Sequence, residues 1–378
     1  MIEIREATRE DNAGLLELTR LTPMDGLISP RIDRAPDFFR LPELCGEGKI
    51  FVAKGGENIK AKSQILIAAV FFSLFLSTGC RHPTEPQHDV NWVQVSSGMV
   101  RSLAMSGNYL FAGRNDGQVF RSPDNGTHWT AVNFSDPIAF VIVSAIVVSG
   151  RNIFAATIGG GVFLSSNYGD SWALANAGLP SDGFITSLAI SGTNLFAGNE
   201  GGGVFRSTDS GVSWTAMNSG LPAYCYINAI AVSRANIFAG GYYYGGGGLY
   251  RSTNNGAGWV SIDTGLTNTF VNSLTSSGTN LFVGTWQGGV FRSTDNGSSW
   301  YAANSGLTGN SAHDVSTLAF AGTNLFAGTF GGVFISSDDG LSWTDANLGL
   351  TSKPVYSFAV SDTYIFAATD SGVWRRQR

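Results

Sequence analysis

Glutamate, cysteine and histidine, which commonly act as acids, bases, nucleophiles or metal ligands, are rare after residue 85. The only glutamate in that part of the sequence is Glu200, the only cysteine is Cys225, and His128 and His313 stand alone. Acid–base catalysis, nucleophilic catalysis and metal binding each need several such groups brought together. We therefore expect no catalytic residues, no cofactor and no metal site.

Aromatic and charged side chains in one kind of loop are the better candidates for functional residues, and their function would be binding. Three of them, Tyr242 to Tyr244, stand within a glycine-rich stretch, and the equivalent loops of other repeats carry the rest. The candidate binding residues are Arg114, Asp116, Glu200, Tyr242, Tyr243, Tyr244, Trp286 and Phe330. Aromatic side chains on a glycine-flexed loop suit recognition of sugars or peptides. The alternative is that these rings cover contacts between repeats.

These loops belong to a unit that recurs from residue 101 with the period of four-stranded propeller blades. The unit ends on the pattern Ser-x-Asp/Asn-x-Gly-x-x-Trp, which we call the turn box. Its six copies cover residues 122–129, 165–172, 207–214, 252–259, 293–300 and 336–343. Even spacing of so specific a pattern predicts a repeat architecture.

Each residue type in the turn box has a structural task. The acidic or amide residue can accept hydrogen bonds from backbone N–H groups of a tight turn, and it is Asp124, Asn167, Asp209, Asn254, Asp295 or Asp338. The glycine supplies a left-handed conformation. The last residue supplies a large apolar surface, and it is Trp129, Trp172, Trp214, Trp259, Trp300 or Trp343. A calcium-binding ring of aspartates is disfavoured because the boxes should lie far apart, one in each blade.

The turn box resembles the Asp-box (BNR) repeat of sialidases, sortilin-like receptors and photosystem II assembly-factor-like propellers. That resemblance implies a β-propeller. Sialidase chemistry would also require an arginine triad and a Tyr/Glu nucleophile pair. The candidate arginines occupy one repeat position and therefore fit blade architecture, and they are Arg121, Arg206, Arg251 and Arg292. A glycoside hydrolase is accordingly disfavoured.

Three alternating segments precede each box and one follows it, which predicts strands A to D. The A–B–C pattern starts seven times, at Ser102, Ser144, Ser187, Ala229, Ser273, Thr317 and Ser357. The seventh copy ends without a box or a fourth strand. Because residues 91–95 match strand D, we expect this N-terminal strand to complete the last blade and remove the open edges. The predicted fold is an all-β, seven-bladed propeller over residues 90–378, with a small α/β fragment at the N-terminus.

The first 58 residues differ in character from the repeats. Residues 1–79 hold 21 of the 51 charged side chains. A strand near Ile2–Arg5, a helix after Thr8 and a strand at Ile50–Ala53 resemble the start of a GNAT-type N-acetyltransferase. The family's glycine-bearing acetyl-CoA turn does not follow. We interpret residues 1–58 as a truncated, non-functional fragment, so acetyltransferase activity is disfavoured.

Residues 59–80 have the three regions of an export signal. Lys60 and Lys62 precede a 12-residue apolar run, Ile65–Leu76, which is short for a membrane span. The ending Ser77-Thr-Gly-Cys80 resembles a bacterial lipobox, which implies lipidation of Cys80 and anchoring in a membrane. An ordinary secretory signal is the alternative. Residues 81–89 then form a polar tether.

Charge and composition limit the kinds of partner. The net charge of −5 and the absence of a basic cluster exclude nucleic acid. We expect a monomeric, exported protein, held as a lipoprotein at the bacterial outer membrane or cell surface, or else periplasmic or secreted. It should bind a protein or glycan through the face that carries the D–A and B–C loops. The alternative is an assembly or scaffold factor for a membrane complex.

Overall fold

The computed structural model describes residues 91–134, 141–243, 245–309 and 311–378, together with two short strands near the N-terminus. Contacts divide the chain into two units, Met1–Gln87 and His88–Arg378. In the first unit, β1 (Glu3–Glu6) pairs antiparallel with β2 (Phe51–Lys54). The expected helix after Thr8, the apolar run and Cys80 lie outside the described residues. No helix in the described ranges is long and apolar enough to cross a membrane.

The second unit is a ring of seven four-stranded antiparallel sheets, which confirms the predicted all-β, seven-bladed propeller. The strand that precedes the first blade is β3 (Val93–Gln94). Blade 1 comprises β4 (Val100–Ser106), β5 (Tyr109–Arg114), β6 (Val119–Ser122) and β7 (Thr130–Ala131). Blade 2 comprises β8 (Ile142–Ser149), β9 (Asn152–Ile158), β10 (Gly161–Ser165) and β11 (Ala173–Leu174). Blade 3 comprises β12 (Ile185–Ser191), β13 (Asn194–Asn199), β14 (Gly203–Ser207) and β15 (Thr215–Ala216).

The remaining blades repeat this order of strands A, B, C and D. Blade 4 comprises β16 (Tyr226–Ser233), β17 (Asn236–Tyr243), β18 (Gly246–Ser252) and β19 (Val260–Ser261). Blade 5 comprises β20 (Val271–Ser277), β21 (Asn280–Thr285), β22 (Gly289–Ser293) and β23 (Tyr301–Ala302). Blade 6 comprises β24 (Val315–Ala321), β25 (Asn324–Thr329), β26 (Gly332–Ser336) and β27 (Thr344–Asp345). Blade 7 comprises β28 (Val355–Val360), β29 (Tyr364–Thr369) and β30 (Gly372–Gln377).

The hydrophobic core lies between blades. Strand B is buried on both sides because it packs against both neighbouring sheets, so its apolar residues are consecutive. One phenylalanine per blade is almost fully buried at the same position of strand B, namely Phe111, Phe154, Phe196, Phe238, Phe282, Phe326 and Phe366. In one such cluster, Phe196 of blade 3 packs with Ile237 and Trp259 of blade 4. Each interblade core therefore holds two neighbouring sheets together.

Strand β3 closes the ring as predicted. Val93 and Gln94 pair antiparallel with Arg375 and Trp374 of β30, which gives blade 7 its fourth strand. Trp92, directly before β3, is buried in the core between blades 6 and 7. The first and last strands of the propeller thus share one sheet, which closes the ring.

The turn boxes form compact, hydrogen-bonded turns. In blade 3, the Ser207 hydroxyl donates to Asp209 Oδ1 over 2.7 Å and accepts the Gly211 N–H over 2.8 Å. Asp209 Oδ1 also accepts the Ser213 N–H over 2.9 Å. The fourth box residue is left-handed as well as the glycine, in every copy, at Asn125, Tyr168, Ser210, Asn255, Asn296 and Asp339. The turn-box pattern predicted that conformation at the glycine alone.

The boxes also tie each blade to its neighbour. Every box tryptophan donates its indole N–H to the carbonyl of the residue directly after strand D of the preceding blade, as Trp214 does to Ala175 over 2.8 Å. From strand C, Arg206 Nη1 donates to the carbonyl of Asn255 in the next box over 2.9 Å. Arg121 and Arg251 make the equivalent bonds, and Arg292 lies 3.9 Å from Asp339. These arginines are therefore spread around the ring as interblade ties.

Candidate functional site

The candidate binding residues that the structure describes share one face of the ring, the loop face, which carries the D–A and B–C loops. Strand A begins at this face and strand B ends there, because strand direction alternates within each blade. The turn boxes, as C–D connections, lie on the opposite face. The loop face is therefore where side chains of different blades can meet.

Trp286 and Phe330 meet across blades 5 and 6. Their rings are in edge-to-face contact, with centroids 5.2 Å apart and planes at 86°. Phe330 makes a second edge-to-face contact, at 6.4 Å, with Tyr356 of blade 7. The guanidinium of Arg101 in blade 1 lies 4.0 Å from the centroid of the Tyr356 ring. One row of contacts thus crosses four blades.

A second group of rings continues the row into blade 4. Tyr242 stacks on Tyr226 with centroids 4.6 Å apart and planes at 10°, and it lies 6.2 Å from Phe270. The N–H of Trp286 donates to the carbonyl of Phe270 over 3.0 Å, which joins the two groups through the backbone. We call this row the aromatic arc, and it consists of Tyr226, Tyr242, Phe270, Trp286, Phe330 and Tyr356.

Exposure is concentrated on three rings of the arc. Phe270 is 44% exposed, Trp286 is 40% exposed and Phe330 is 37% exposed. Large aromatic rings are normally removed from water on folding, so a row of half-open rings marks a surface suited to binding. The edge-to-face geometry also fixes the ring orientations before a partner arrives.

The other candidate residues are placed less centrally. Arg114 pairs with Asp116 over 3.3 Å, and its guanidinium lies where a Cβ on Gly98 would stand. Arg114 and Asp116 therefore pair with each other, and the Arg114 guanidinium lies 5.4 Å from the centroid of the Phe120 ring, which is not part of the arc. Glu200 of blade 3 lies near Tyr242, where burial and, secondarily, the negative charge of Glu200 raise the pKa of the phenol. Tyr243 ends β17 beside Gly245, and Tyr244 lies outside the described residues.

A bulge in strand A of every blade positions residues that sequence reasoning missed. The register of strand A against strand B shifts at one residue near its start in all seven blades. The bulged residues are Arg101, Ser144, Thr186, Asn228, Asn272, Ser316 and Tyr356, and we call them the bulge ring. β-Bulges re-aim a side chain. Arg101 and Tyr356 reach the B–C loops of the loop face, whereas Ser144 and Thr186 bond to strand A of the next blade. The signal in the sequence was the departure of blades 1 and 7 from small polar residues at this position.

Hydrogen bonds hold Arg101 and Tyr356 in place. Arg101 Nε donates to Asn115 Oδ1 over 3.1 Å, and the Tyr356 hydroxyl donates to Asp370 Oδ1 over 2.8 Å. Burial, together with the bond to Asp370, raises the pKa of Tyr356 to about 12. Tyr356 is therefore a neutral phenol at physiological pH, with Arg101 as the cation beside it.

Other reactive groups in the described part of the chain are not gathered into a site. No group of three or more His, Cys, Asp or Glu residues there could hold a metal ion. Burial raises the pKa of the Cys225 thiol to about 11, which keeps it a neutral, unreactive thiol. His128 is paired with Asp124 of its own turn box, at 2.6 Å.

Comparison with known proteins identifies the fold. No protein-family model matches the chain. No curated protein matches it in sequence. The extracellular domain of a putative one-component system from B. thetaiotaomicron is 19% identical, with a TM-score of 0.63 over 78% of this chain. The chain spans 40% of the length of that domain.

Two further structures have the same architecture. YCF48 bound to D1 peptide is 15% identical, with a TM-score of 0.59 over 78% of this chain and 96% of that one. A GH74 xyloglucanase from Xanthomonas campestris is 15% identical, with a TM-score of 0.55 over 72% of this chain and 51% of that one. An extracellular domain of a putative one-component system, a peptide-bound protein and a xyloglucanase share this fold, so function must be argued from the site. The likeness establishes that the described C-terminal part of the chain is a seven-bladed β-propeller.

Proposed function

We propose that this protein is a non-catalytic, exported β-propeller that binds a protein or glycan partner through the aromatic arc. The observation that best supports this proposal is the contact of Trp286 with Phe330, two half-exposed rings held edge to face across a blade boundary. Aromatic side chains dominate the energetics of recognition surfaces because they bury much area at little entropic cost. The likeness to a peptide-bound propeller supports this reading.

A role as an assembly or scaffold factor for a membrane complex is the second candidate. The length of the arc favours it, because rings on blades 4 to 7 can contact an extended protein segment as well as a single sugar. Copurification of membrane proteins, with loss of that association when the arc is altered, would distinguish this role from binding of a free glycan.

Hydrolase activity is the less favoured candidate. The likeness to a xyloglucanase is the observation that favours hydrolase activity. Glycoside hydrolysis generally uses two carboxyl groups facing the scissile bond. Along the arc, Asp370 accepts the Tyr356 hydroxyl and Asp314 Oδ1 accepts the Gln287 N–H over 3.1 Å, so both carboxylates are held by hydrogen bonds within the protein. Glu200 is the single glutamate of the repeats. Binding without turnover fits these residues better.

Our proposals for the turn boxes and for residues 1–89 rest on the sequence. We propose that the turn boxes are Asp-box (BNR) repeats, that residues 1–58 are a truncated GNAT-like fragment and that residues 59–80 are an export signal. Residues 81–89 then tether a monomeric propeller at residues 90–378 to a lipidated Cys80. Palmitate labelling of the full chain in a Gram-negative host, lost in Cys80→Ala, tests the anchor. Labelling that persists in Cys80→Ala would contradict it.

The binding proposal can be tested on an array of peptides and glycans probed with the full chain. We expect Trp286→Ala/Phe330→Ala to weaken the strongest signals at least about tenfold, since each truncated anchor removes on the order of 1–2 kcal/mol. A matched control is Tyr301→Ala/Leu341→Ala. These residues of blades 5 and 6 are 67% and 62% exposed but lie off the loop face. Equal weakening by both pairs, or by neither, would contradict the proposal.

A further inference from the structure

A groove between blades 1 and 2 opens on the turn-box face, opposite the aromatic arc. It has a volume of about 510 Å³ and is lined by the turn after β4, the turn after β8 and the boxes of blades 1 and 2, through Pro123 and Tyr168. Its floor is tied across the blades by the Ser106 hydroxyl, which donates to the carbonyl of Gly150 over 3.0 Å. A smaller groove of about 290 Å³ occupies the equivalent place between blades 4 and 5.

Three departures from the repeat converge on the larger groove. Strand B begins with Asn in blades 2 to 6 but with tyrosine in blades 1 and 7, Tyr109 and Tyr364. The fourth box residue is Asn, Ser or Asp in the other copies but Tyr168 in blade 2. The third residue of the A–B turn is Asn, Thr or Ala elsewhere but Arg151 in blade 2. In the smaller groove the first two positions are Asn236 and Asn296, whose side chains hydrogen-bond to each other at 3.2 Å.

The two tyrosines form a fixed aromatic floor. Their ring centroids lie 5.4 Å apart with planes at 42°. Beneath Tyr109 the Arg121 guanidinium lies 5.0 Å from the ring centroid, and Arg121 is itself held by the Tyr168 carbonyl at 2.7 Å and Asp170 at 2.9 Å. The backbone N–H of Tyr168 also bonds to the carbonyl of Arg151. The rings are thus positioned without a ligand.

The groove carries one unbalanced positive charge. Arg121 is neutralised by its ion pair with Asp170. Arg151 is exposed, its guanidinium lies 5.9 Å from the Tyr168 ring centroid, and it has no ion pair within the described ranges of the chain. A guanidinium free to form two parallel hydrogen bonds is the preferred protein group for a carboxylate.

We propose that this groove is a binding site for an acidic pyranose, a sugar ring that bears a carboxylate. The face of such a ring packs on Tyr109 or Tyr168, whose negative π faces attract the electropositive C–H groups of the sugar. Its carboxylate pairs with Arg151. The volume exceeds that of one sugar residue, so the site admits the end of a uronate-containing chain.

The test is a titration of the full chain with methyl β-glucuronide, with methyl β-glucoside as the neutral ligand of the same ring shape. We expect the glucuronide to bind more tightly, and Arg151→Thr to weaken it about tenfold, the loss of one charge-assisted contact, without affecting the glucoside. Tyr168→Asn, which restores the residue of blades 1, 4 and 5, should weaken both sugars. Arg234→Asn, which removes an exposed arginine from the smaller groove, should change neither.

Four results would overturn this assignment. They are no saturable glucuronide binding, binding unchanged in both Arg151→Thr and Tyr168→Asn, equal weakening by Arg234→Asn, and competition by acetate at the same concentration as the glucuronide. The last result would reduce the site to a general anion site. None of them bears on the aromatic arc, because that surface lies on the other face and is tested with different variants.

Discussion

The indole N–H of Trp92 donates a hydrogen bond of 2.7 Å to the carbonyl of Ala346, which lies 254 positions later in the chain. This is the bond that each box tryptophan makes to the blade before it, here made by a residue outside any turn box. Gly349 completes the match, because a Cβ there would overlap the Trp92 carbonyl as a Cβ on Gly306 would overlap that of Trp343. Trp92 therefore does for blade 7 what a box tryptophan does for the others.

The first prediction concerns closure of the ring. Trp92→Phe should lower the free energy of unfolding by about 1 kcal/mol for the lost hydrogen bond. Trp92→Ala should lower it by about 3–5 kcal/mol, because the side chain is almost fully buried. Chemical denaturation followed by fluorescence measures both. Val93→Ala, an exposed neighbour, should change stability by less than about 0.5 kcal/mol. An unchanged midpoint for Trp92→Ala would contradict the closure described above.

The second prediction concerns acid stability. Hydrogen bonds from the seventh box residue, and from the box serine, lower the pKa of four box aspartates to about 2, and these are Asp124, Asp209, Asp295 and Asp338. A carboxyl group with a lowered pKa in the folded state stabilises it above the ordinary pKa near 4 and loses that effect as pH falls through about 2. The melting temperature should therefore fall between about pH 4 and pH 2.

With asparagine in all four positions, the melting temperature should fall less steeply between about pH 4 and pH 2. Asn254 shows that an amide fits the turn, since its Oδ1 accepts the Gly258 N–H over 2.8 Å. Melting curves of the wild type and of the fourfold Asp→Asn variant from pH 5 to pH 2 make the comparison. If the variant loses stability over that range as steeply as the wild type, other carboxyl groups control acid unfolding.

The third prediction separates backbone conformation from close packing. Gly192 and Gly220 both have positive φ, at +60° and +91°. A Cβ on Gly192 meets open space, whereas a Cβ on Gly220 would overlap the Trp259 carbonyl. Gly192→Ala should cost about 1 kcal/mol for its left-handed backbone. Gly220→Ala should cost at least about 2 kcal/mol more, because the neighbouring blade must move. If both variants lost the same free energy of unfolding in denaturation experiments, the close approach of Gly220 to Trp259 would not contribute to stability.

Much of the fold could be predicted from the sequence because its signals are local and repeated. Period-two alternation marks the strands, and the turn box marks the C–D connection of six blades. Ring closure was predictable as well, since residues 91–95 carry a strand D pattern that lacks a partner. Of the two left-handed residues in each box, only the glycine was predicted. The fourth position was not, because it holds Asn, Ser, Tyr or Asp, which share no chemical type.

The site was harder to predict because contacts between blades decide it. Trp286 and Phe330 were singled out as loop aromatics, but Tyr226, Phe270, Tyr356 and Arg101 were not. Tyr356 and Arg101 lie in strands, and only the bulge of strand A turns them to the loop face. A bulge in strand A leaves no clear mark in a single sequence, since the residue there varies from Ser to Arg.

Site-specific photo-cross-linking tests the central claim, that the aromatic arc is the binding surface. A photoreactive phenylalanine analogue is placed at Phe330 in one sample and at Leu341, on the turn-box face of the same blade, in another. Each full chain is irradiated with the peptide or glycan that binds most strongly on the array. We predict a covalent adduct from position 330 and none from position 341. An adduct from position 341 alone would contradict it.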